Sequence, residues 1–200
     1  MNLGVKERGR AIVAAPARAL AASGVRATHL TVAGFGLSVA AAAMLARGRY
    51  DWTAGLLLVS GLCDILDGAV ARAGVGETRL GAFLDSTLDR AGESAVYVGS
   101  AWRGLNLVRD WAGPRWDVTL PVLALASSLL VSYVRARAEG LGAECRVGLM
   151  ERPERMVLLI AAAAAAVFWE PAWAWALAAL SALNFVTFAQ RLVHVGRALR

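Results

Sequence analysis

The sequence predicts an all-α, polytopic membrane protein: six transmembrane helices, at about 20 residues per span plus loops, preceded by an N-terminal amphipathic juxtamembrane helix. Three observations support this. Of the 200 residues, 58% are hydrophobic and the mean hydropathy is +0.54. Windows such as 30–46 and 157–169 hold no charged side chain, as hydrocarbon requires. Charges gather instead at the ends of the apolar stretches. Six spans use up the chain, so one domain over residues 1–200 is expected, divided into an interfacial segment 1–27 and a bundle 28–200.

Taken in order, the first segment mixes Lys6, Arg8, Arg10 and Arg18 with Leu3, Val5, Ile12, Val13 and Leu20, which suits a helix lying in the membrane interface. Arginine interrupts its apolar positions, so it does not read as a secretory signal. The spans follow at 29–46, 52–73, 80–102, 118–137, 152–169 and 171–193. The second, third and fourth carry their charges toward one end. Small residues at 40–43 and the alanine run 161–166 favour close helix packing.

Basic residues set the orientation. Lys6, Arg8, Arg10, Arg72, Arg135, Arg155 and Arg191 fall on one side, against Arg47, Arg49, Arg103, Arg109 and Arg115 on the other. The positive-inside bias therefore puts both termini, and the charged ends of the second and third spans, on the cytoplasmic face of a plasma membrane. Trp102, Trp111 and Trp116 fit the opposite interface. The net charge of +6 reads as orientation and attraction to anionic membrane lipid, not as nucleic-acid binding. Cys63 and Cys145 lie in different environments with no ligand companions, so neither a disulfide nor a thiolate metal site is expected. His29 and His194 stand alone and read as interfacial residues.

The anomaly is a set of four aspartates in apolar sequence: Asp64 and Asp67 in GLCDILDGAVAR, then Asp85 and Asp89 in LGAFLDSTLDR. Carboxylates in a membrane span face the bundle interior or a wet cavity and need a compensating charge. Asp64 and Asp67 are three apart, and Gly81, Asp85 and Asp89 recur every fourth residue, so each set lies on one helical face. A short loop makes the two helices antiparallel neighbours and brings the acids around one cavity. So many carboxylate oxygens suit Mg²⁺ or Mn²⁺, hard cations that bridge to substrate phosphates. The alternatives are structural ion pairs with Arg72, Arg79 and Arg90, or a proton or cation path. Gly68, Ala71 and Gly81 add room for phosphates beside the backbone.

The pattern D-x-x-D-G-x-x-A-R, eight residues, then G-x-x-x-D-x-x-x-D, resembles the signature of the CDP-alcohol phosphotransferases at every fixed position. Such a match arises by chance on the order of 10⁻¹⁰ per starting point, at about one in twenty per residue type. THLTVAG, SYVRARAEGLG, GLMERPERMVLL and VTFAQRLVHV extend the likeness from about Thr28 to Arg197, most closely to the actinobacterial phosphatidylinositol-phosphate synthases. The resemblance implies a homodimer that joins CDP-diacylglycerol to inositol phosphate with two metal ions. It makes Asp64, Asp67 and Asp85 ligands, and Asp89 both a ligand and the general base. Thr31, Asp67, Gly68, Ala71, Arg72 and Gly81 would hold the CDP part of the donor.

A second constellation bears on the acceptor. Ser132 and Arg135 end the fourth span, Arg155 begins the fifth and Arg191 ends the sixth, which suits an acceptor that itself carries a phosphate. In the resembled branch these positions form the acceptor-phosphate pocket, with arginine at 135 where lysine is expected. The bland reading makes these arginines ordinary positive-inside residues. Glycerol 3-phosphate is the alternative acceptor. A carboxylate-lined transporter or a metal-dependent lipid hydrolase are the other classes; the fixed Gly-Ala-Arg spacing argues against the transporter.

Overall fold

The computed structural model describes residues 3–74, 78–104 and 116–199, with side chains from Val13 onward. Helices form in the expected order: α1 Leu3–Ala22, α2 Ala27–Ala46, α3 Tyr50–Ala73, α4 Arg79–Arg103, α5 Trp116–Gly140, α6 Arg152–Ala166 and α7 Pro171–Ala198. Lys6, Arg8 and Arg10 precede the described side chains, and Arg109, Trp111 and Arg115 lie outside the described residues.

Local chemistry sets the boundaries. The Thr78 hydroxyl accepts from the Gly81 amide at 3.0 Å and caps α4, while Pro153 and Pro171 supply preset backbone angles in the first turns of α6 and α7. Gly48 and Gly142 take φ of 74° and 79° just past α2 and α5, a conformation that favours glycine and ends a helix. α6 stops three residues before the expected 169, and α7 runs five past the expected 193. The apolar stretch and the helix differ there because backbone hydrogen bonding, not hydropathy, ends a helix.

Four helices, α2, α3, α5 and α7, are long and apolar enough to cross a membrane. α4 has the length, at 25 residues, but carries Asp85, Asp89, Arg90 and Glu93 through its middle. α6 has 15 residues, about 22 Å at 1.5 Å per residue, less than the hydrocarbon thickness. Both still contribute to the core, where Leu45, Leu57, Val96, Tyr97, Leu159, Trp173, Leu177 and Leu180 are fully buried. α1 packs against α3 and buries Ala17.

α2 lies between α3 and α4, and small residues allow the approach. The Ser60 hydroxyl of α3 donates to the Gly34 carbonyl of α2 and shares a 2.9 Å hydrogen bond with Ser38. Gly92 faces Ser38, and Gly99 faces the backbone of Ala42. At the bundle end remote from the aspartates, Arg103 pairs with Glu170 at 2.6 Å and donates to the Tyr50 hydroxyl, and the Trp173 indole donates to Ser100 at 2.8 Å. These contacts tie α3, α4 and α7 together at that end.

A Cβ at Gly99 has no space against the Ala42 carbonyl. Gly99→Ala is therefore expected to force α2 and α4 apart and cost about 1–3 kcal/mol, the usual penalty of overpacking. Gly55, whose Cβ would meet nothing, is the control. Thermal unfolding in detergent should show a lower Tm for Gly99→Ala and no loss for Gly55→Ala; equal Tm values would show that the helices have slack at 99.

Candidate active site

The last turns of α3 and the first turns of α4 bring the aspartates together. Asp64, Asp67 and Asp85 each offer a carboxylate oxygen, and these lie within 4.8 Å of one another. Asp67 is buried, and its Oδ2 accepts from the Thr31 hydroxyl at 2.8 Å, so α2 orients the acid that α3 supplies. Asp89 is joined to the cluster through an arginine from α6: Arg152 Nη1 lies 2.8 Å from Asp64 Oδ1 and 2.6 Å from Asp89 Oδ2. Thr31, Asp64, Asp67, Asp89 and Arg152 line one narrow cleft.

One atom tests the fit of a cation. Asp85 Oδ1 is buried and has no hydrogen-bond partner, which is costly for a carboxylate oxygen unless something positive meets it. Three carboxylates around that atom form an all-oxygen donor set, suited to Mg²⁺ or Mn²⁺. Among the described residues no salt bridge joins these aspartates to Arg72, Arg79 or Arg90. Arg72 instead leans back over Gly68, where a Cβ would sit 3.2 Å from its Nη1. Gly68 thus leaves room for that guanidinium, Ala71 is half-buried on the same helix, and Gly81 lies in the first turn of α4.

The second constellation is more deeply built than its charges suggest. Arg155 is 2% exposed and makes a forked pair with Glu93, Nε to Oε1 at 2.7 Å and Nη2 to Oε2 at 2.9 Å. Tyr97 also donates to Glu93 at 2.8 Å and lies 3.1 Å from the Ser128 hydroxyl, which accepts from Asn184. Glu93 and Ser132 line one narrow cleft between α4 and α5. Arg191, also 2% exposed, donates from Nε to the Val147 carbonyl and from Nη1 to the Val131 carbonyl, next to Ser132. It thereby fastens the α5–α6 connection to α7, helped by Thr187, which accepts from the Leu149 and Met150 amides. Arg135 stays partly exposed and pairs with Glu139 one turn on. Of the four residues, Ser132 lines the α4–α5 cleft, and Arg155 pairs with Glu93, which also lines it. Arg191 donates to the carbonyl of Val131, the residue before Ser132, and Arg135 pairs with Glu139 on a partly exposed surface.

Sequence reasoning passed over Arg152 and Glu93. Both had a signal: Glu93 continues the fourfold spacing of Asp85 and Asp89, and an acid within an apolar helix is a candidate in itself. Arg152 precedes Arg155 by one turn and shares its face.

Residues 25–189 match the family model described as CDP-alcohol phosphatidyltransferase. The chain is 41% identical over 176 residues to an archaetidylinositol phosphate synthase of Methanothermobacter thermautotrophicus, covering 87% of this chain and 85% of that protein. It is 37% identical over 183 residues to a phosphatidylinositol phosphate synthase of Mycobacteroides abscessus, covering 88% and 80%. Its fold is similar to the crystal structure of Mycobacterium tuberculosis phosphatidylinositol phosphate synthase with CDP-DAG bound, with a TM-score of 0.80 and 33% identity over 92% of this chain and 93% of that one. The structure of that protein in complex with manganese and citrate matches at a TM-score of 0.80 and 33% identity, over 92% and 88%.

The unpartnered Asp85 oxygen yields a direct test. Mn²⁺ should raise the Tm of the purified protein in detergent, because a ligand that binds only the folded state stabilises it. Asp85→Asn should weaken Mn²⁺ binding at least about tenfold, since charge-assisted contacts are worth roughly 1.5–3 kcal/mol. Titration followed by electron paramagnetic resonance measures it. Equal affinity in the variant would remove Asp85 from the cation site.

Proposed function

The chain belongs to the CDP-alcohol phosphatidyltransferase family, and on that premise we propose that it transfers the phosphatidyl group of CDP-diacylglycerol to inositol 1-phosphate, giving phosphatidylinositol phosphate and CMP. One observation carries the reading. Asp85 sits in the carboxylate cluster, Asp89 follows one turn later, and Glu93 lines the α4–α5 cleft a turn beyond that. A donor diphosphate at the cluster and a phosphorylated acceptor at the cleft would meet at Asp89. The relatives named above, two of which make inositol-phosphate lipids by name, support this choice of acceptor.

Asp64, Asp67 and Asp85, with Asp89 as a further ligand, would hold Mg²⁺ or Mn²⁺, in our reading two ions. The bound metal would supply positive charge opposite the departing CMP. Thr31 fixes Asp67 through its hydrogen bond. Gly68, Ala71, Arg72 and Gly81 would surround the CDP part, with Arg72 offsetting phosphate charge. Ser132, Arg135, Arg155 and Arg191 would receive the acceptor phosphate. Asp89 Oδ1 carries no hydrogen bond among the described residues and would accept the proton of the acceptor hydroxyl. The hydroxyl oxygen bonds to the lipid-side phosphorus as the bond from that phosphorus to CMP breaks, and CMP leaves with the electron pair. Carboxylates are weak bases for alcohols, so the proton moves late in the attack.

We further read the chain as a single domain of six spans, working as a homodimer in the plasma membrane with both termini and the site on the cytoplasmic side. α1 would lie at that interface as a juxtamembrane helix. The outward faces of α4 and α6 favour spanning: Phe83, Val98 and Trp102 on α4 and Val157 on α6 are exposed, while Glu93 and Arg155 are buried. The archaetidylinositol relative favours a second reading of the donor alone, with an ether lipid in place of the diacyl chain.

Acceptor-dependent CMP release from CDP-diacylglycerol in Mg²⁺ tests the proposal. Inositol 1-phosphate should drive release, glycerol 3-phosphate less, and omission of the acceptor should stop it. Release without acceptor would mean hydrolysis, and none at all would favour transport. Asp89→Asn should lower kcat by about 10²–10⁴ while donor binding persists. Near-normal kcat in that variant would take the base role from Asp89.

A further inference from the structure

Arg155 carries five N–H donors in a rigid fork, and Glu93 takes the two on its Nε–Nη2 edge with contacts of 2.7 and 2.9 Å. No hydrogen bond from Nη1 is found among the described residues. Glu93 is itself fixed: it is buried, it accepts from Tyr97 at 2.8 Å, and Tyr97 is braced by Ser128 on α5. A bidentate pair with both members immobile sets the plane of the guanidinium as well as its place. Glu93 also lines the cleft that holds Ser132, so the carboxylate that fixes Arg155 borders that cleft. The pair is electrically neutral as a unit.

We propose that Glu93 is a positioning residue for the acceptor: by holding Arg155 through Nε and Nη2, it fixes Nη1 as the donor left for a phosphate on the acceptor alcohol. The inference rests on the acceptor reading given above and adds a residue to it. Lysine in place of Arg155 could not be fixed this way, because an ammonium has no plane to set. Glu93 is four residues beyond Asp89 on α4, so the helix that carries the proposed base also sets the orientation of the group that would hold the acceptor. Geometry at the two ends of the acceptor is thereby coupled through one rigid element.

Glu93→Asp is the informative substitution, since it keeps the charge and the fork but draws the carboxylate back by one methylene. The expected result is a rise of about tenfold in the KM for inositol 1-phosphate, with the KM for CDP-diacylglycerol within about twofold of wild type. Inorganic phosphate should lose potency as a competitor of the acceptor by a similar factor. A purely structural role would lower Tm and leave the ratio of the two KM values unchanged, which would overturn the proposal, as would an unchanged acceptor KM. A second arm compares Glu93→Gln/Arg155→Gln, a pair with no buried charge, with Arg155→Gln alone. Equal acceptor KM values show that Glu93 works only through Arg155; a further rise in the double variant overturns that. If the wild-type chain released no CMP in response to inositol 1-phosphate, the functional reading would fall and this inference with it.

Discussion

Like charge buried at one end of a helical bundle is the constraint on which this structure turns. Four aspartates from α3 and α4 lie together at the carboxylate site, and Glu93 adds a fifth acid one turn deeper. The protein's own answer comes from the start of α6. Arg152 reaches Asp64 and Asp89, and Arg155, one turn on, reaches Glu93. Two arginines one turn apart thus meet two acids one turn apart, which fixes α6 in register with α4. Removing one member of such a pair leaves a buried charge, at a cost of about 3–5 kcal/mol, so the register is strongly enforced. Asp85 Oδ1 is a fully buried acid oxygen that this answer leaves without a partner, and a cation would meet it there.

Much of this was legible in the sequence, for reasons that can be stated. Helix positions followed from where charge is absent. The spacing of Asp64, Asp67, Asp85 and Asp89 pointed to one shared cavity, and Asp64, Asp67 and Asp85 do converge. The expectation that a short loop packs α3 directly beside α4 does not hold, because α2 lies between them. The small residues of α2 and α6 correctly marked close contacts: Ala41, Ala42, Ala162, Ala163 and Ala166 are buried. What stayed hidden depends on pairing across the chain. Arg152 and Asp64 are 88 residues apart, and Arg155 and Glu93 are 62 apart. No local pattern reports which of many arginines crosses to which acid.

Arginines near helix ends were the hardest to read. A basic residue at a span terminus satisfies the positive-inside bias whether it faces water, a ligand or the protein interior. Arg135 and Arg191 looked alike in sequence, yet Arg135 lies at a partly exposed surface with Glu139, and Arg191 is buried with two backbone carbonyls. The difference is set by tertiary packing: Gly148, at φ 132°, brings its backbone against Thr187 and Arg191. Substituting Arg191 therefore disturbs the α5–α6 connection as well as any phosphate site, so a loss of activity there has two physical sources.

The polar stripe on α4 shows how one helix serves three neighbours. Residues at every fourth position return to nearly the same face but advance by about 40° each time, because the α-helix has 3.6 residues per turn. Asp85, Asp89, Glu93 and Tyr97 therefore trace a slow spiral. Asp85 meets the α3 acids, Asp89 and Glu93 meet the α6 arginines, and Tyr97 meets Ser128 of α5. Gly92 and Gly99 fall just behind the start of that spiral and press α4 onto α2, which in turn carries Thr31 to Asp67. The spiral also grades the chemistry, from an open carboxylate site, through ion pairs, to hydroxyls deep in the bundle. A shift of α4 by a single residue would turn every member by about 100° and break all three partnerships together. The fold thus holds the distance between the carboxylate cluster and the α4–α5 cleft at one helical turn on either side of Asp89.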